Sequence, residues 1–421
     1  MSEFIKVEGN GTLSGTVRVS GAKNSALKLL AAAILGQGVS TIRNVPLISD
    51  INVMSEVLER LGARVSRDGH EVRVDTAQVD KHETPYELVS KMRASISVLG
   101  PLIGRFGKAR VAMPGGCQIG ARKIDMHLVG LEHLGVHFNV DHGYLEATTP
   151  EGLHGADVML TFPSVGATEN MLMAAVTAEG TTVIDNAARE PEIVDLCNML
   201  NEMGARITGA GSPSITVEGV NVESLHPCDH TTVGDRIEAG TFLVGGALTG
   251  GPLTVEGIDP SFLRMACMKL EDMGCTVEKG TDSITVSRAG AIRPAEIQTL
   301  PHPGFPTDLQ AQFMLLAALA QGNSVITENV FENRFMFAAE LQRMGASITI
   351  EGHHAFVQGV QGLQGADVSC TDLRAGGALV LAGVIAEGTT FVHDIYHIDR
   401  GYEDYVGKLA SLGACVSRVS E

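Results

Sequence analysis

The chain has 421 residues, a length that exceeds one ordinary hydrophobic core and indicates two or three domains. An apolar fraction of 44% and a charged fraction of 19% are typical of a globular protein and exclude an intrinsically disordered one. A formal net charge of −18 argues against nucleic acid or an anionic membrane as partner, because both need a broad basic surface. A small anionic ligand, which needs only a few local cations, stays possible.

The amino terminus has no basic region followed by an apolar run, so no signal peptide is expected, and the apolar stretches at 26–35 and 376–386 are too short to span a bilayer. The seven cysteines, at 117, 197, 228, 267, 275, 370 and 415, form no Cys-x-x-Cys pair. Their odd number and irregular spacing are typical of reduced thiols in a cytoplasm, and argue against a disulfide framework or a zinc site. A cytoplasmic protein without a metal is therefore predicted.

One short phrase recurs six times along the chain. The occurrences are Leu61-Gly-Ala-Arg-Val, Leu134-Gly-Val-His-Phe, Met203-Gly-Ala-Arg-Ile, Met273-Gly-Cys-Thr-Val, Met344-Gly-Ala-Ser-Ile and Leu412-Gly-Ala-Cys-Val, at intervals of 73, 69, 70, 71 and 68 residues. Each predicts a helix that ends on Leu or Met, a glycine that caps it in the left-handed conformation, and a strand that follows. The constant interval indicates six copies of one unit.

A second helix, apolar on almost all sides, precedes each phrase. These helices are predicted to begin near Lys23, Arg93, Ala167, Arg236, Asp308 and Arg374. A helix without a polar face is buried on all sides, whereas the later helix of each unit, such as 193–203, is amphipathic and is expected nearer the surface. The predicted fold class is therefore α/β with helices inside and sheets toward solvent, three units to a domain. An ordinary doubly wound sheet is the alternative.

Several of these buried helices begin with charges that a structural repeat does not need. Lys23, Arg93 and Arg374 place cations at helix starts, where they are unfavourable unless an anion binds there. One such residue is better explained as a solvated cation. Three in equivalent positions favour an anion site, and a cleft between two similar halves is a favoured place for one.

The second unit departs most from the repeat, and reads Met113-Pro-Gly-Gly-Cys117-Gln-Ile-Gly-Ala-Arg122-Lys-Ile-Asp125. Its three glycines predict a mobile loop of the kind that forms lids. A thiol near Arg122 and Lys123 is a candidate for a lowered pKa, and a turn with an incidental cysteine is the alternative. The fourteen histidines are expected at the surface, with His397 left open because it lies close to Arg400.

At these residues the sequence resembles the UDP-N-acetylglucosamine 1-carboxyvinyltransferases, enolpyruvyl transferases of the EPSP synthase superfamily. The segments that carry the resemblance are Ser20-Gly-Ala-Lys-Asn, Met92-Arg-Ala-Ser, Pro114-Gly-Gly-Cys-Gln-Ile-Gly-Ala-Arg, Ser164-Val-Gly-Ala-Thr-Glu-Asn, Asn186-Ala-Ala-Arg-Glu-Pro-Glu, Asp235-Arg-Ile-Glu-Ala-Gly-Thr, Phe305-Pro-Thr-Asp-Leu-Gln-Ala-Gln, Phe331-Glu-Asn-Arg-Phe-Met, Thr371-Asp-Leu-Arg-Ala and Tyr396-His-Ile-Asp-Arg-Gly-Tyr. It implies two inside-out α/β barrels, each of three βαβαββ repeats, formed by residues 22–233 and by 1–21 with 234–421. The active site is implied in the cleft between them.

The same resemblance implies transfer of the enolpyruvyl group of phosphoenolpyruvate to the 3-hydroxyl of UDP-N-acetylglucosamine. Phosphate is released, and this is the first committed step of peptidoglycan precursor synthesis. Cys117, Asp308 and Lys23 are implied as catalytic, with Cys117 a general acid that also forms a covalent 2-(S-cysteinyl)pyruvic acid O-phosphothioketal. The implied substrate-binding residues are Lys23, Asn24, Arg93, Arg122, Lys123, Ile124, Asp125, Met126, Ser164, Val165, Gly166, Asp308, Val330, Asp372, Arg374 and Arg400. No cofactor and no protein partner are implied, and fosfomycin is an expected inhibitor.

The chain departs from the family pattern at two positions. Phe162 occupies a place where the family often has a lysine, a version that other branches of the family share, so the exact diphosphate contacts stay open, and Lys123 replaces a common proline. A shikimate 3-phosphate enolpyruvyl transferase is the alternative enzyme, but it would lack the Gly-Gly-Cys loop. The second alternative is not an enzyme: it is a non-catalytic paralogue that keeps the fold.

Overall fold

The computed structural model of the chain describes residues 3–84, 86–91, 93–113 and 124–420, without the side chains of 89–91 and 93–95. The predicted loop with Cys117, Arg122 and Lys123 lies outside the described residues. Among the helices within them, none combines the length and the apolar composition needed to cross a bilayer.

The described residues form two compact units, each with its own hydrophobic core. One unit contains residues 21–113 and 124–233, and the other contains residues 3–20 and 234–420. The chain therefore passes from one unit to the other after Ser20, and passes back after Val233.

Three sheets surround the core of each unit among the described residues. In the unit of residues 21–233 the strands are Val39–Arg43, Arg64–Asp68, Glu71–Asp75 and Asp229–Thr231; Lys108–Ala112, His137–Asp141 and Tyr144–Thr148; and Asp157–Met159, Thr181–Asp185, Arg206–Thr208 and Ser214–Glu218. In the other unit they are Gly15–Arg18, Leu253–Glu256, Thr276–Lys279 and Ser283–Ser287; Glu296–Gln298, Asn323–Thr327, Ser347–Glu351 and His354–Gln358; and Glu3–Glu8, Asp367–Ser369, Thr389–His393 and Cys415–Ser420.

The described sheets share one topology. In five of them a short edge strand pairs in parallel with its neighbour, as Asp229–Thr231 pairs with Val39–Arg43. The two other pairings in each of these sheets are antiparallel. The sheet that begins with Lys108–Ala112 has three strands, and an isolated parallel bridge from Glu83 to Arg110 stands where the edge strand would be. Alternate residues along these strands are buried and exposed, so each sheet has one face toward the core and one toward solvent.

A buried helix passes through each repeat on the inner side of its sheet. These helices are Lys23–Ala32, Leu99–Phe106, Val165–Ala175, Arg236–Thr249, Gln310–Ala318 and Leu373–Ile385, of which the second and fifth follow the 3₁₀ helices Arg93–Val98 and Thr307–Leu309. The outer helices are Ser49–Arg60, Asp125–His133, Pro191–Glu202, Arg264–Asp272, Ala338–Arg343 and Tyr405–Ser411. Shorter helical segments are Ala33–Leu35, Tyr86–Lys91, Val222–Ser224, Pro260–Leu263 and Tyr396–Asp399.

The predicted fold class is confirmed. In Arg236–Thr249, for example, every residue from 236 to 248 is buried, as an apolar helix surrounded by sheet must be. The doubly wound alternative is wrong, because the sheets contain antiparallel pairs and expose one face. The six glycines of the recurring phrase all have positive φ, between 91° and 107°, which confirms them as left-handed helix caps.

One expectation about the outer helices is wrong. The amphipathic pattern of 193–203 predicts that its acidic residues lie on the exposed face, but Glu192 and Asp195 are both buried in Pro191–Glu202. The reason for Asp195 is tertiary: its carboxylate accepts hydrogen bonds from Ser25 and His230, which are distant in sequence. Periodicity along one helix carries no signal of such partners.

The repeat also depends on close backbone approaches at glycine. A Cβ on Gly359 would lie 1.6 Å from the carbonyl oxygen of Ala320, and a Cβ on Gly219 would lie 1.6 Å from that of Ala178. Gly362, three residues after Gly359, has open space around the same position.

We expect Gly359→Ala to destabilise its unit by about 2–3 kcal/mol, because backbone must move to admit the methyl group. Gly362→Ala is the matched control and should change the stability by less than about 0.5 kcal/mol. Calorimetric unfolding of both variants measures the difference. Equal unfolding temperatures for the two variants would contradict the close approach.

Candidate active site

In the unit of residues 21–233, Lys23 opens the first buried helix and is held by a carboxylate. Its Nζ lies 2.7 Å from Oδ2 of Asp50, and the two side chains are only 10% and 4% exposed. The N-cap residue, Ala22, offers the helix no side-chain hydrogen bond. A buried ammonium that a carboxylate holds at a helix start is suited to bind a phosphate or carboxylate, and the half-buried Asn24 lies next to it.

A second ion pair connects this helix to the one that begins at Val165. Lys28 Nζ lies 2.6 Å from Oε2 of Glu169, which is almost completely buried. Burial raises the pKa of Glu169, and Lys28 opposes that shift. The pair therefore fixes the predicted phosphate-binding helix against the predicted nucleotide-sugar segment.

The structure brings together two predicted segments of the nucleotide-sugar site. Ser164 caps the helix Val165–Ala175, and its Oγ accepts a hydrogen bond from Ala167 N at 3.3 Å. Ile124 is the residue at the N-cap position of the helix Asp125–His133, which packs against Val165–Ala175. Val165 and Gly166 in one helix, and Asp125 and Met126 in the other, thus lie in the first turns of neighbouring helices.

His127 forms the contact between these two first turns. A Cβ on Gly166 would lie 2.8 Å from Cε1 of His127, so only glycine admits the ring. Asn170 Nδ2 donates to His127 Nδ1 at 2.9 Å, while its Oδ1 accepts from Gly100 N at 2.8 Å. His127 is buried, contrary to the expectation that the histidines lie at the surface.

In the unit of residues 234–420, two arginines hold the carboxylate of Asp308. Arg334 Nη2 lies 2.8 Å from Oδ1, and Arg374 Nε lies 3.2 Å from Oδ2. The arginine side chains are 6% and 4% exposed, whereas that of Asp308 is 24% exposed. Each oxygen therefore has a fixed cationic partner, and the carboxylate remains partly accessible.

Asp372 fixes the backbone of Arg374. It caps the helix Leu373–Ile385, and its Oδ1 accepts from Arg374 N at 2.8 Å and from Ala375 N at 3.1 Å. The guanidinium lies 5.5 Å from the ring centre of Tyr402. Burial disfavours its charge, but Asp308, Tyr402 and Asp235 together raise the pKa of Arg374 above its ordinary value.

Glu328 links the segment of Val330 to that of Asp308. Its Oε1 accepts from the backbone N–H groups of Val330 at 2.8 Å and Phe331 at 3.0 Å. Its Oε2 accepts from Thr307 Oγ1 at 2.8 Å, and Arg334 Nη1 donates to the same hydroxyl at 3.2 Å. One buried carboxylate thus keeps Val330 close to the residue that precedes Asp308.

Arg400 follows the short helix Tyr396–Asp399 and lies within electrostatic reach of His397. Burial, and then the charge of Arg400, lowers the pKa of His397, while Asp372 and Asp394 oppose the shift. The pKa of His397 therefore responds to the charges of both Arg400 and Asp372, the N-cap residue of the Arg374 helix.

Some predicted site residues receive no structural account. Cys117, Arg122 and Lys123 lie outside the described residues, and for Arg93 only the backbone is described, at the start of the 3₁₀ helix Arg93–Val98. Phe162, the departure from the family pattern, is exposed, and its carbonyl accepts from Ser164 N at 2.7 Å.

Sequence reasoning missed four residues that hold the predicted ones: Asp50, His127, Glu328 and Arg334. Arg334 stands in the quoted segment Phe331-Glu-Asn-Arg, so its charge inside an otherwise unexplained motif was an available signal. Asp50 and Glu328 resemble ordinary surface acids in the sequence, because their partners lie far along the chain.

The described cysteines other than the exposed Cys415 are buried or half-buried. Burial raises the pKa of Cys197 to about 12 and that of Cys267 to about 11. Burial likewise raises the pKa of Cys228 and Cys275, each to about 11. At neutral pH a thiol with a pKa of 11 is a thiolate in roughly one molecule in ten thousand, so these residues are poor nucleophiles.

Comparison with solved structures relates the fold to known enzymes. The enolpyruvyl transferase NikO from Streptomyces tendae superposes with a TM-score of 0.89 at 29% identity, over 100% of this chain and 99% of that one. EPSP synthase from Acinetobacter baumannii superposes with a TM-score of 0.75 at 17% identity over the full length of both chains, which shows a shared fold.

Sequence comparison gives a nearer relationship. The profile of EPSP synthase (3-phosphoshikimate 1-carboxyvinyltransferase) matches residues 7–409. The UDP-N-acetylglucosamine 1-carboxyvinyltransferase of Mycobacterium bovis is 52% identical over 419 residues and covers both chains completely. UDP-N-acetylglucosamine 1-carboxyvinyltransferase 2 of Carboxydothermus hydrogenoformans is 52% identical over 423 residues, again over 100% of both chains. The chain therefore belongs to the EPSP synthase family, in the branch of the UDP-N-acetylglucosamine 1-carboxyvinyltransferases.

Proposed function

We propose that this protein transfers the enolpyruvyl group of phosphoenolpyruvate to the 3-hydroxyl of UDP-N-acetylglucosamine, with release of phosphate. The observation that carries the proposal is the full-length relationship, at 52% identity, to proteins named for this reaction. The arrangement around Asp308 supports it, because a base for an alcohol must be held in a fixed and accessible position.

In the first step the sugar hydroxyl attacks C2 of phosphoenolpyruvate while C3 gains a proton, which gives a ketal that still carries the phosphate. Asp308 orients the hydroxyl and accepts its proton. A carboxylate is a weak base for an alcohol, so positioning must supply much of its effect. The guanidinium groups of Arg334 and Arg374 provide that positioning, because each holds one carboxylate oxygen.

Cys117 supplies the proton to C3 as general acid, and its sulfur also forms the covalent phosphothioketal with phosphoenolpyruvate. A thiol with an ordinary pKa near 8.5 is mostly protonated at neutral pH and is able to donate. In the second step the Cys117 thiolate takes a proton back from C3 while the bond between C2 and the phosphate oxygen breaks, which regenerates the double bond in the enolpyruvyl group now attached to the sugar. The elimination balances the addition, so no cofactor or metal is required by the chemistry.

Cations and helix starts bind the anionic substrates in this proposal. Lys23, Arg122 and Arg400 bind phosphoenolpyruvate, with Asn24 next to Lys23, and Arg93 contacts the UDP diphosphate. The uridine and sugar contacts are assigned to Lys123, Ile124, Asp125, Met126, Ser164, Val165, Gly166 and Val330. The packing of the helix starts at Ile124 and Ser164 against each other supports the assignment of one nucleotide-sugar segment.

Asp372 and Arg374 position Asp308 and take part in turnover. We place the activity in the cytoplasm as the first committed step of peptidoglycan precursor synthesis, and so in cell-wall biogenesis, cell shape and cell division. The cysteine pattern, typical of reduced thiols, supports that compartment. Fosfomycin is the proposed inhibitor.

A shikimate 3-phosphate enolpyruvyl transferase shares the fold, as the structure from Acinetobacter baumannii illustrates at 17% identity. A likeness of 17% identity shows a shared fold and does not identify the substrate. The Gly-Gly-Cys segment at 115–117 favours the nucleotide-sugar substrate. A non-catalytic paralogue would have no need for the buried arginine pair on Asp308.

We expect phosphate release from phosphoenolpyruvate to require UDP-N-acetylglucosamine. Shikimate 3-phosphate in its place should give none, because the nucleotide contacts would be unused. A coupled phosphate assay with both acceptors measures this directly. Turnover with shikimate 3-phosphate would establish the alternative enzyme, and no turnover with either acceptor would establish the non-catalytic one.

We expect fosfomycin to modify Cys117 and no other cysteine, since its recognition as a phosphoenolpyruvate mimic delivers the epoxide to that thiol. Peptide mass spectrometry identifies the site. The exposed Cys415 is the internal control for unspecific alkylation, and Cys197 is a control for burial. Cys117→Asp should retain acid catalysis and escape the drug, whereas an unmodified Cys117 peptide in the treated protein would refute the proposal.

We expect Arg334→Met to lower kcat by about a hundredfold, because Asp308 then loses the partner of Oδ1 and its position. The exposed Arg343→Met, nine residues away, is the matched control and should keep kcat within twofold (about the scatter of such assays). Steady-state kinetics on variants with wild-type circular dichroism separates the two. Equal kcat for both variants would exclude positioning of Asp308 by Arg334.

A further inference from the structure

A buried hydrogen-bond chain outside the residues assigned above contains His230. The imidazole Nε2 lies at hydrogen-bond distance from Asp195 Oδ1, at 2.9 Å, and Nδ1 lies 2.8 Å from Glu202 Oε2. The ring and Asp195 are buried, whereas the Glu202 side chain is 47% exposed. His230 thus connects the outer helix Pro191–Glu202 to the strand Asp229–Thr231, contrary to the expectation of a surface histidine.

The other oxygen of Asp195 leads to the helix that carries Lys23. Ser25 Oγ, fully buried in the first turn of that helix, donates to Asp195 Oδ2 at 2.5 Å. Val233 N donates to the same oxygen at 3.3 Å, and Val233 O accepts from Ala22 N at 2.7 Å. These contacts form a closed ring that fixes the helix start to the last residue before the chain leaves this unit.

The geometry favours the charged form of His230. Both ring nitrogens face carboxylate oxygens, and two ionised carboxylates can both accept a hydrogen bond only from a ring that carries hydrogen on both nitrogens, the imidazolium. Burial lowers the pKa of His230, but the hydrogen bonds and charges of Asp195 and Glu202 outweigh burial and raise it above the ordinary value. In that form the ring is a countercharge for the buried Asp195.

We propose that His230 is a positioning residue for substrate binding: its imidazolium holds Asp195, and Asp195 holds Ser25 and residue 233, so that Lys23 is presented in one fixed position. This inference rests on the proposed function, in which Lys23 binds the phosphate of phosphoenolpyruvate. Loss of the charge leaves Asp195 buried without a countercharge, and the ring around the helix start loosens.

The polar and titratable groups near His230 lie on the outer helix, on the first helix, on the neighbouring strand and on its own segment. The outer helix supplies Asp195 and Glu202, and the first helix supplies the uncharged Ser25. On the neighbouring strand, next to the Ile42 that pairs with His230, the guanidinium of Arg43 is already bound to Asp229 at 2.7 Å. Cys228 on the same segment is protonated at neutral pH, because burial and then Glu202 raise its pKa to about 11.

The sign of the pH dependence follows from this. A histidine whose pKa is raised by folding contributes below its unfolded pKa, and that contribution is lost as the pH rises through the folded pKa. We therefore expect the KM for phosphoenolpyruvate of the native enzyme to rise on the alkaline side as His230 loses its proton.

His230→Gln removes the charge and keeps one donor of similar size. We expect the KM for phosphoenolpyruvate to rise about tenfold, the effect of one lost hydrogen bond to a charge, while kcat and the KM for UDP-N-acetylglucosamine stay within about twofold. In this variant the rise of the KM for phosphoenolpyruvate at alkaline pH should be smaller than in the native enzyme. His226→Gln, an exposed histidine four residues earlier, is the matched control and should leave both KM values and the pH profile unchanged.

Amide hydrogen exchange supplies a readout that does not need turnover. We expect residues 23–27 to exchange faster in His230→Gln than in the native protein and in His226→Gln. Asp195→Asn, which keeps the shape of the side chain and removes its charge, is the second variant and replaces His230→Gln in the test if that protein does not fold. It should give the same increase, and should lower the pKa of His230 measured by NMR.

The results separate this inference from the proposed function. A native protein without turnover, in which His230→Gln still speeds exchange at 23–27, would refute the proposed function and leave the role of His230 in fixing the helix start. An active native protein with unchanged KM, pH profile and exchange in His230→Gln would overturn the inference.

Discussion

The structure depends on one constraint: helices that are apolar on all sides must be surrounded completely. Helices such as Arg236–Thr249 and Leu373–Ile385 have no face that water could cover, so the sheets of each repeat enclose them. Charged side chains are therefore few along these helices, and Lys28 and Glu169, which lie between the ends of their helices, form an ion pair with each other. The constraint that builds the fold therefore also concentrates polar groups at helix starts, where backbone N–H groups are unpaired.

The helix starts differ in how these N–H groups are used. Asp235 and Asp372 cap their helices with carboxylates, and Ser164 caps its helix with a hydroxyl. The helix that begins at Lys23 has no side-chain cap. A start without its own acceptor, next to a buried ammonium, favours an external anion more than a capped start does. The proposed binding of phosphoenolpyruvate at Lys23 agrees with this difference.

The sequence predicted those features that depend on neighbours along the chain. The left-handed glycines at 62, 135, 204, 274, 345 and 413 follow from a local rule about helix ends, and the buried helices follow from an apolar pattern. Candidate site residues came from resemblance and from charges that the repeat did not explain. The partners that hold them were not predictable in this way, because Arg334 meets Asp308 and His230 meets Asp195 only after the chain has folded.

The buried charged pairs of this protein are not explained by stability alone. Removing a cation such as Arg374 from water costs more than a surface ion pair returns, and a well-packed apolar pair is often at least as stable as a buried ionic one. Lys23 with Asp50, Arg374 with Asp308 and His230 with Asp195 all contain buried charges. Stability alone does not account for three such pairs near helix starts and the chain crossover. The proposed roles of Lys23 and Asp308 toward anionic substrates agree with these pairs, since positioning needs directional contacts that apolar packing does not provide.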